Sequence, residues 1–231
     1  MKCLLDNAFA PLTFGGGFLE VPFDRVGEAF FSWVKTFAPS AKKRDVTAAL
    51  PEALDLMPPL TTGRTRILLL SAGPTWTAYF DNTTRGPDPT GAVGHMSRTL
   101  KCRGLVTGCH PEVRKEGRVT NTSAVRFELW GPEQTDGLNL VRHVGVFNDY
   151  GRWSFEFGGT PLPFETPEKY KARRVRDRFT PAMLEDYAAA LGIRLFDADF
   201  YGPEGMLIQL PRPKRFRKMS LKKAQKHHGL R

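Results

Sequence analysis

The stretch from Arg66 to Phe80 limits the fold more than any other part of this sequence. An aliphatic run, Ile67-Leu68-Leu69-Leu70, leads into Gly73-Pro74 and then into Trp76-Thr77-Ala78-Tyr79-Phe80. The run is too short for a globular helix and far short of the roughly 20 apolar residues that span a bilayer. Gly-Pro marks a turn. In the segment that follows, Trp76, Ala78 and Phe80 fall on one face of an extended chain, and Thr77, Tyr79 and Asp81 on the other. The stretch therefore predicts a buried strand, a turn and an antiparallel return strand.

Around this hairpin the pattern alternates between strands and helices. Gly17 to Val21 reads as a strand. A helix opens at Pro22, with Phe23, Val26, Phe30, Val34 and Phe37 at helical spacing. A short helix is expected around Val46 to Leu56, ended by Pro58-Pro59. Val93, Met96 and Leu100 mark another helix, with Gly104 placed to close it in a left-handed conformation. Strands are expected over 105–109, 124–130, 140–147, 153–157, 194–199 and 206–210, with a polar connector from Pro111 to Ser123. A helix runs from Pro181 to Leu191 with Thr180 as its cap and Gly192 closing it.

The fold class is α+β: a mainly antiparallel sheet with helices on one face. The order strand, Trp-bearing strand, helix, strand, strand occurs over 64–131 and again over 138–211. It fits two pseudo-repeated ββαββ units preceded by a βα element at 17–37. The alternative is chance recurrence of a common order.

Charge marks a boundary. The 231 residues carry a net charge of +10, but nine Lys or Arg residues and no acid lie between Arg212 and Arg231. Without them 25 bases face 24 acids. The expected organisation is a nearly neutral body over 1–211 and a basic tail over 212–231, with Ser220 as cap of a short helix through His228. Such a tail reads as a solubilising end, as a helix docked through Leu221 and Ala224, or as a nucleic-acid contact through Lys214, Arg215, Arg217 and Lys218. Three cysteines, Cys3, Cys102 and Cys109, offer no disulfide framework. Together with Asp6, which interrupts any apolar leader, they make a cytoplasmic location the expectation.

A second basic cluster lies within the body. From Lys169 to Arg178 there are six bases and one acid, including Arg173, Arg174, Arg176 and Arg178, beside Tyr170. Guanidinium groups grip phosphates and carboxylates through paired planar hydrogen bonds. The cluster suits a partner surface or a small anion. Equally, it suits internal ion pairs, with Asp177 and Glu165 the nearest acids. Trp76 and Trp153, on the two matching strands, complete the candidate binding set.

Catalytic and cofactor signatures are lacking. There is no Gly-x-Ser-x-Gly elbow and no phosphate-binding or dinucleotide-binding glycine motif, so no cofactor is expected. His95, Cys102, Cys109 and His110 lack zinc-ligand spacing, and adjacent Cys109 and His110 would point to opposite faces of a strand. Asp81, Asp149 and Glu156 would form an acid/base pair only if the two Trp-bearing strands were neighbours.

Three segments carry a resemblance: Trp76 to Asn82, Gly159 to Glu165, and Ala172 to Phe179. With them, most of residues 1–210 resembles a family of uncharacterised bacterial proteins, a domain of unknown function. That resemblance implies a bacterial cytoplasmic protein and carries over no catalytic residue. The resulting expectation is a non-enzymatic protein-protein interaction module, of the toxin-neutralising immunity type by analogy. The alternatives are a nucleic-acid-associated protein using the tail and the Arg173–Arg178 cluster, and an enzyme or binder acting on an anionic small molecule.

Overall fold

A strand that is apolar at every position must be covered on both faces, and Ile67 to Leu70 are all buried. The computed structural model describes residues 3–115, 117–119, 122–135 and 138–230. In chain order these form β1 (Gly15–Leu19), α1 (Phe23–Phe37), β2 (Lys42–Thr47), β3 (Leu60–Thr61), β4 (Arg66–Ala72), β5 (Trp76–Asp81), α2 (Thr90–Thr99) and β6 (Gly104–His110). There follow β7 (Arg114–Lys115), β8 (Arg118–Val119), β9 (Ser123–Thr135), β10 (Leu138–Asp149), β11 (Arg152–Gly158), α3 (Pro181–Ala190), β12 (Tyr201–Gln209), β13 (Lys218–Met219) and α4 (Leu221–His227).

Nine strands make one sheet in the order β11-β10-β9-β6-β1-β5-β4-β12-β2, and every neighbouring pair is antiparallel. The α+β class with a large antiparallel sheet holds. The helices, however, lie on both faces. On one side Val26, Phe30 and Val34 of α1 and Ala92, Val93 and Met96 of α2 pack with Ile67, Leu69, Tyr79, Val106 and Trp130. On the other, Leu184, Tyr187 and Ala188 of α3 and Ala224 of α4 join Leu68, Leu70, Phe80, Phe127 and Val144. One-sided cover would leave half of the central apolar side chains in water, at about 1.5–3 kcal/mol for each large one.

Several local expectations change. The helix expected around Val46 to Leu56 is replaced: Val46 and Thr47 end an edge strand, 42–47, paired with β12, and only a short 3-10 turn covers Glu52–Leu56. The exposed side chains of Lys42, Lys43, Arg44 and Asp45 discourage further strand pairing at this edge. Residues 194–199 do not make a strand. The Asp197 side chain accepts a hydrogen bond from Asp199 N at 3.0 Å and turns the chain into a 3-10 segment at Ala198–Phe200. Nor does Gly104 close α2: Lys101 takes the left-handed position with φ 54. Gly104 opens β6 instead, because a Cβ there would strike the Val93 side chain of α2. The two halves are not structural repeats. The second lacks the strand at 194–199, and β12 pairs with β4 and β2 rather than with β10 or β11.

The C-terminal segment is built onto the body. β13 pairs with β3, Ala224 is fully buried and Gln225 nearly so, with its amide donating to Ala8 O at 2.8 Å. His228 shares a 2.7 Å hydrogen bond with Thr84 O and meets the Phe14 ring edge-on. Ser220 caps α4 by accepting from Lys223 N. A division at 211 therefore separates charge but not packing: Met219, Leu221 and Ala224 complete the apolar cover of one sheet face. Arg231 lies outside the described residues, as do parts of the connector expected over 111–123.

Candidate functional site

Arg142 of β10 is a cation with no access to solvent, and it organises the loop that carries the Arg173–Arg178 cluster. Its guanidinium meets Glu165 through two bonds, Nε to Oε1 at 2.8 Å and Nη2 to Oε2 at 2.7 Å. It also donates to the Gly158 and Gly159 carbonyls at 3.0 and 2.8 Å. Gly159 has φ +79, and a Cβ there would collide with Val141 O, so this approach requires glycine. Tyr170 donates to Glu165 Oε2 at 2.7 Å and its hydroxyl lies 2.9 Å from that of Tyr187. Burial pushes the Glu165 carboxyl up, but the bonds from Arg142, Leu162 N and Tyr170 outweigh it and hold the group below its ordinary value.

Glu165 is thus the partner of Arg142, not of the basic cluster that follows it. Tyr170 is a buried member of this network. Arg173 and Arg174 are exposed and make no ion pair among the described residues. Arg176 is exposed, with Asp177 at 3.9 Å. Arg178 turns back, donating to Ala172 O at 3.0 Å and lying over the Phe155 ring. Three of the four arginines therefore face water.

Of the two expected tryptophans, only Trp153 comes beside the arginine cluster, sharing a cleft with Arg176. Trp76 is buried and donates to Leu191 O at 3.2 Å, a packing role. Trp153 stands on β11, with four strands between it and β5, which at about 4.8 Å per step separates the two tryptophan strands by about 24 Å. Asp81 and Glu156 are separated in the same way and form no acid/base pair. Asp81 instead accepts from Arg64 Nε, the Tyr79 hydroxyl, Thr83 N and Asp88 N, all at 3.1 Å. Asn82 next to it accepts from Thr65 N and Arg66 N and donates to Pro59 O. These two residues set the path of the 82–89 loop. Burial pushes the Cys102 thiol up to about 11 and that of Cys109 to about 12, which keeps both protonated. Among the described residues, no group of three or more His, Cys, Asp or Glu is placed to hold a metal ion.

What sequence reasoning missed is the end of the sheet where β6 and β10 finish and β9 and β11 begin. Two clefts of about 320 and 460 Å³ lie there, and both are lined by His110, Ser123 and Ala124. Trp153, Arg176 and Phe179 line the smaller; Arg85, Arg126 and Phe147 line the larger. Ser123 is 5% exposed, and its hydroxyl has no hydrogen-bond partner among the described residues. The His110 ring stacks on Phe14 with centroids 4.9 Å apart, and Phe14 in turn carries His228. Burial, and then the charges of Arg126 and His228, hold the His110 imidazole down to about 4. It is a neutral ring at physiological pH. The sequence signals here were Trp153 and Arg176 of the candidate binding set, which line the smaller cleft together, and His110, considered as a metal ligand.

The C-terminal bases form a third feature. Arg212, Lys214, Arg215, Arg217, Lys218, Lys222, Lys223 and Lys226 are all exposed, although the segment that carries them is docked. A notch of about 270 Å³ beside them is lined by Arg66, Arg212 and Lys218, with no acid in its wall. Burial, and then the nearby Arg44, push the Arg66 guanidinium below its ordinary value, and its Nη1 donates to the Leu56 and Pro58 carbonyls.

No protein-family model, curated protein or solved structure matches this chain.

Two stability predictions follow from these buried charges. Arg142→Met leaves Glu165 buried without its cation and should cost about 3–5 kcal/mol in urea unfolding, whereas Arg142→Met with Glu165→Leu should recover most of that loss. The folded state also binds the His110 proton only near pH 4, whereas the unfolded chain binds it near 6.5. Stability present above pH 6.5 should therefore fall as pH drops toward 4, by up to about 3 kcal/mol from this group. His228, lowered mainly by burial, acts in the same direction. Urea midpoints at pH 7.5 and 4.5 should converge partly in His110→Phe, which keeps the ring stack.

Proposed function

We propose that this chain is a nucleic-acid-associated protein that holds the phosphate backbone on its C-terminal segment. One observation carries the reading: the basic segment is anchored at β13, Ala224, Gln225 and His228 while its cations point outward. A disordered basic end must lose conformational entropy on binding, whereas a docked one has already lost it in folding. Lysine and arginine side chains on a fixed frame neutralise phosphates and release the counterions condensed on them. The acid-free notch at Arg66, Arg212 and Lys218 is suited to an anionic group, and its wall lacks a carboxylate that would repel one. Such contacts position a backbone without reading its bases.

A second reading rests on a different observation, the free edge of β11. That strand ends the sheet, and among the described residues nothing pairs with its outer side. Phe157 on it is 58% exposed, and the Arg173–Arg176 surface lies close by through the 3-10 turn at Val175–Asp177. The opposite edge is guarded by charge. An acidic partner segment adding as a further strand would make the chain a protein-protein interaction module, the immunity type included.

Fluorescence anisotropy with labelled RNA and DNA at 50 and 200 mM salt tests the first reading. Affinity should fall steeply with salt, and Lys214→Glu with Arg215→Glu and Arg217→Glu should weaken binding and flatten the salt slope by roughly 0.7–0.9 per contact removed. An affinity indifferent to salt would rule it out. The second reading expects a stoichiometric partner from the native host whose binding is lost on Glu156→Pro; a partner that still binds this variant argues against strand addition.

A further inference from the structure

Beyond the phosphate backbone, the geometry points to a place for a base. On the sheet face that carries α2, the outer strands β9, β10 and β11 extend past the helix, and Ala124, Arg126, Glu128 and Phe147 are only half-buried there. The register sets two cross-strand rows on this face. His110, Ala124, Phe147 and Ser154 form one, and Gly108, Arg126, Gly145 and Glu156 the next.

The two glycines of the second row are crowded by side chains that reach across them. A Cβ on Gly145 would sit 2.7 Å from the Phe147 ring, and a Cβ on Gly108 would sit 2.8 Å from Cγ and 3.0 Å from Nε of Arg126. The phenyl ring edge and the arginine stem therefore each use the room left by a position without a side chain. Both line the cleft of about 460 Å³. An aromatic ring beside a guanidinium recognises planar ligands, because a planar ring can stack on either of them.

The walls narrow the choice of ligand. Arg85 on the loop side is exposed and supplies positive charge, and Arg126 in the floor shares its charge with Glu128 at 3.3 Å. No hydrogen bond reaches the His110 ring nitrogens among the described residues. That neutral ring is able to donate or accept. Asp88 and Asp149 at the rim accept from hydroxyl or amino groups, which a bare phosphate does not have. A planar heterocycle with polar edges, a hydroxylated sugar and a phosphate matches this arrangement.

We propose that the cleft stacks one base of a single-stranded nucleic acid on Phe147 and Arg126, with a neighbouring phosphate held by Arg85. The site rests on the nucleic-acid reading above and deepens it, since the docked tail ends beside the cleft: His228 is bonded to Thr84 O, next to Arg85, and touches Phe14 under His110. Duplex bases are stacked on one another and cannot reach such a floor, so the site should create a preference for single strands.

The experiment compares labelled 12-nucleotide oligouridine with a 12-base-pair duplex by anisotropy at fixed salt. Phe147→Ala should weaken the single strand about ten-fold and leave the duplex within about two-fold, while Phe147→Tyr should restore single-strand binding. Melting curves confirm that each variant is folded. A folded Phe147→Ala that binds the single strand like the wild type, or that weakens both ligands equally, overturns the stacking site. If the tail variants still weaken both ligands in that case, the backbone reading survives without it. If the wild-type protein binds neither ligand, both fall.

Discussion

Two-sided burial of the central strands is the constraint from which the rest of the architecture descends. β4 and its neighbours present apolar side chains to both faces, so a cover is required on each. α1 and α2 are enough for one face. The other is too broad for α3 alone and is completed by short 3-10 segments, by the loop that follows β11 and by α4. Recruitment of α4 is what turns a basic end into a fixed basic surface. Its cations are exposed because its few apolar residues are engaged beneath them.

The same demand explains the buried Arg142. Once the 158–179 loop is folded over β10, the Gly158 and Gly159 carbonyls and the Glu165 carboxylate need partners out of water, and one guanidinium supplies them all. Buried ion pairs of this kind are a weak source of net stability but a strong source of register, because a mispaired alternative leaves a charge stranded. The loop is thereby held in one path, and Arg173, Arg174 and Arg176 remain on its outer side. Motif residues that drew attention in the sequence, Asp81, Asn82, Gly159 and Glu165, turn out to be fasteners. They place the loops that border the clefts.

Much of the fold was legible because hairpins and amphipathic helices are written in local pattern. The β4–β5 and β10–β11 hairpins, α1, α2, α3 and the Ser220 cap follow from period-two alternation, helical spacing and cap chemistry. Residues 46–56 and 194–199 were misread for a shared reason. In the first, pairing of 42–47 with β12 took Val46 and Thr47 out of the expected helix; in the second, an Asp197 side-chain bond to the backbone turned an expected strand into a 3-10 segment. The candidate site was mostly illegible. Gly108 and Gly145 are unremarkable in sequence, and their role depends on which side chains lie across them once the register is set.

By itself the sequence determined that the chain would be α+β, that its charge excess would lie at one end, and that six bases would crowd between Lys169 and Arg178. These are properties of composition and short-range order, and they do not change with the path of the chain. Only the tertiary structure decided that cover would lie on both faces, that Glu165 would go to Arg142, that the two tryptophan strands would stand far apart, and that the basic end would be docked. Each of those depends on contacts between residues far apart in the chain, where partner choice is governed by competition for burial rather than by any local pattern.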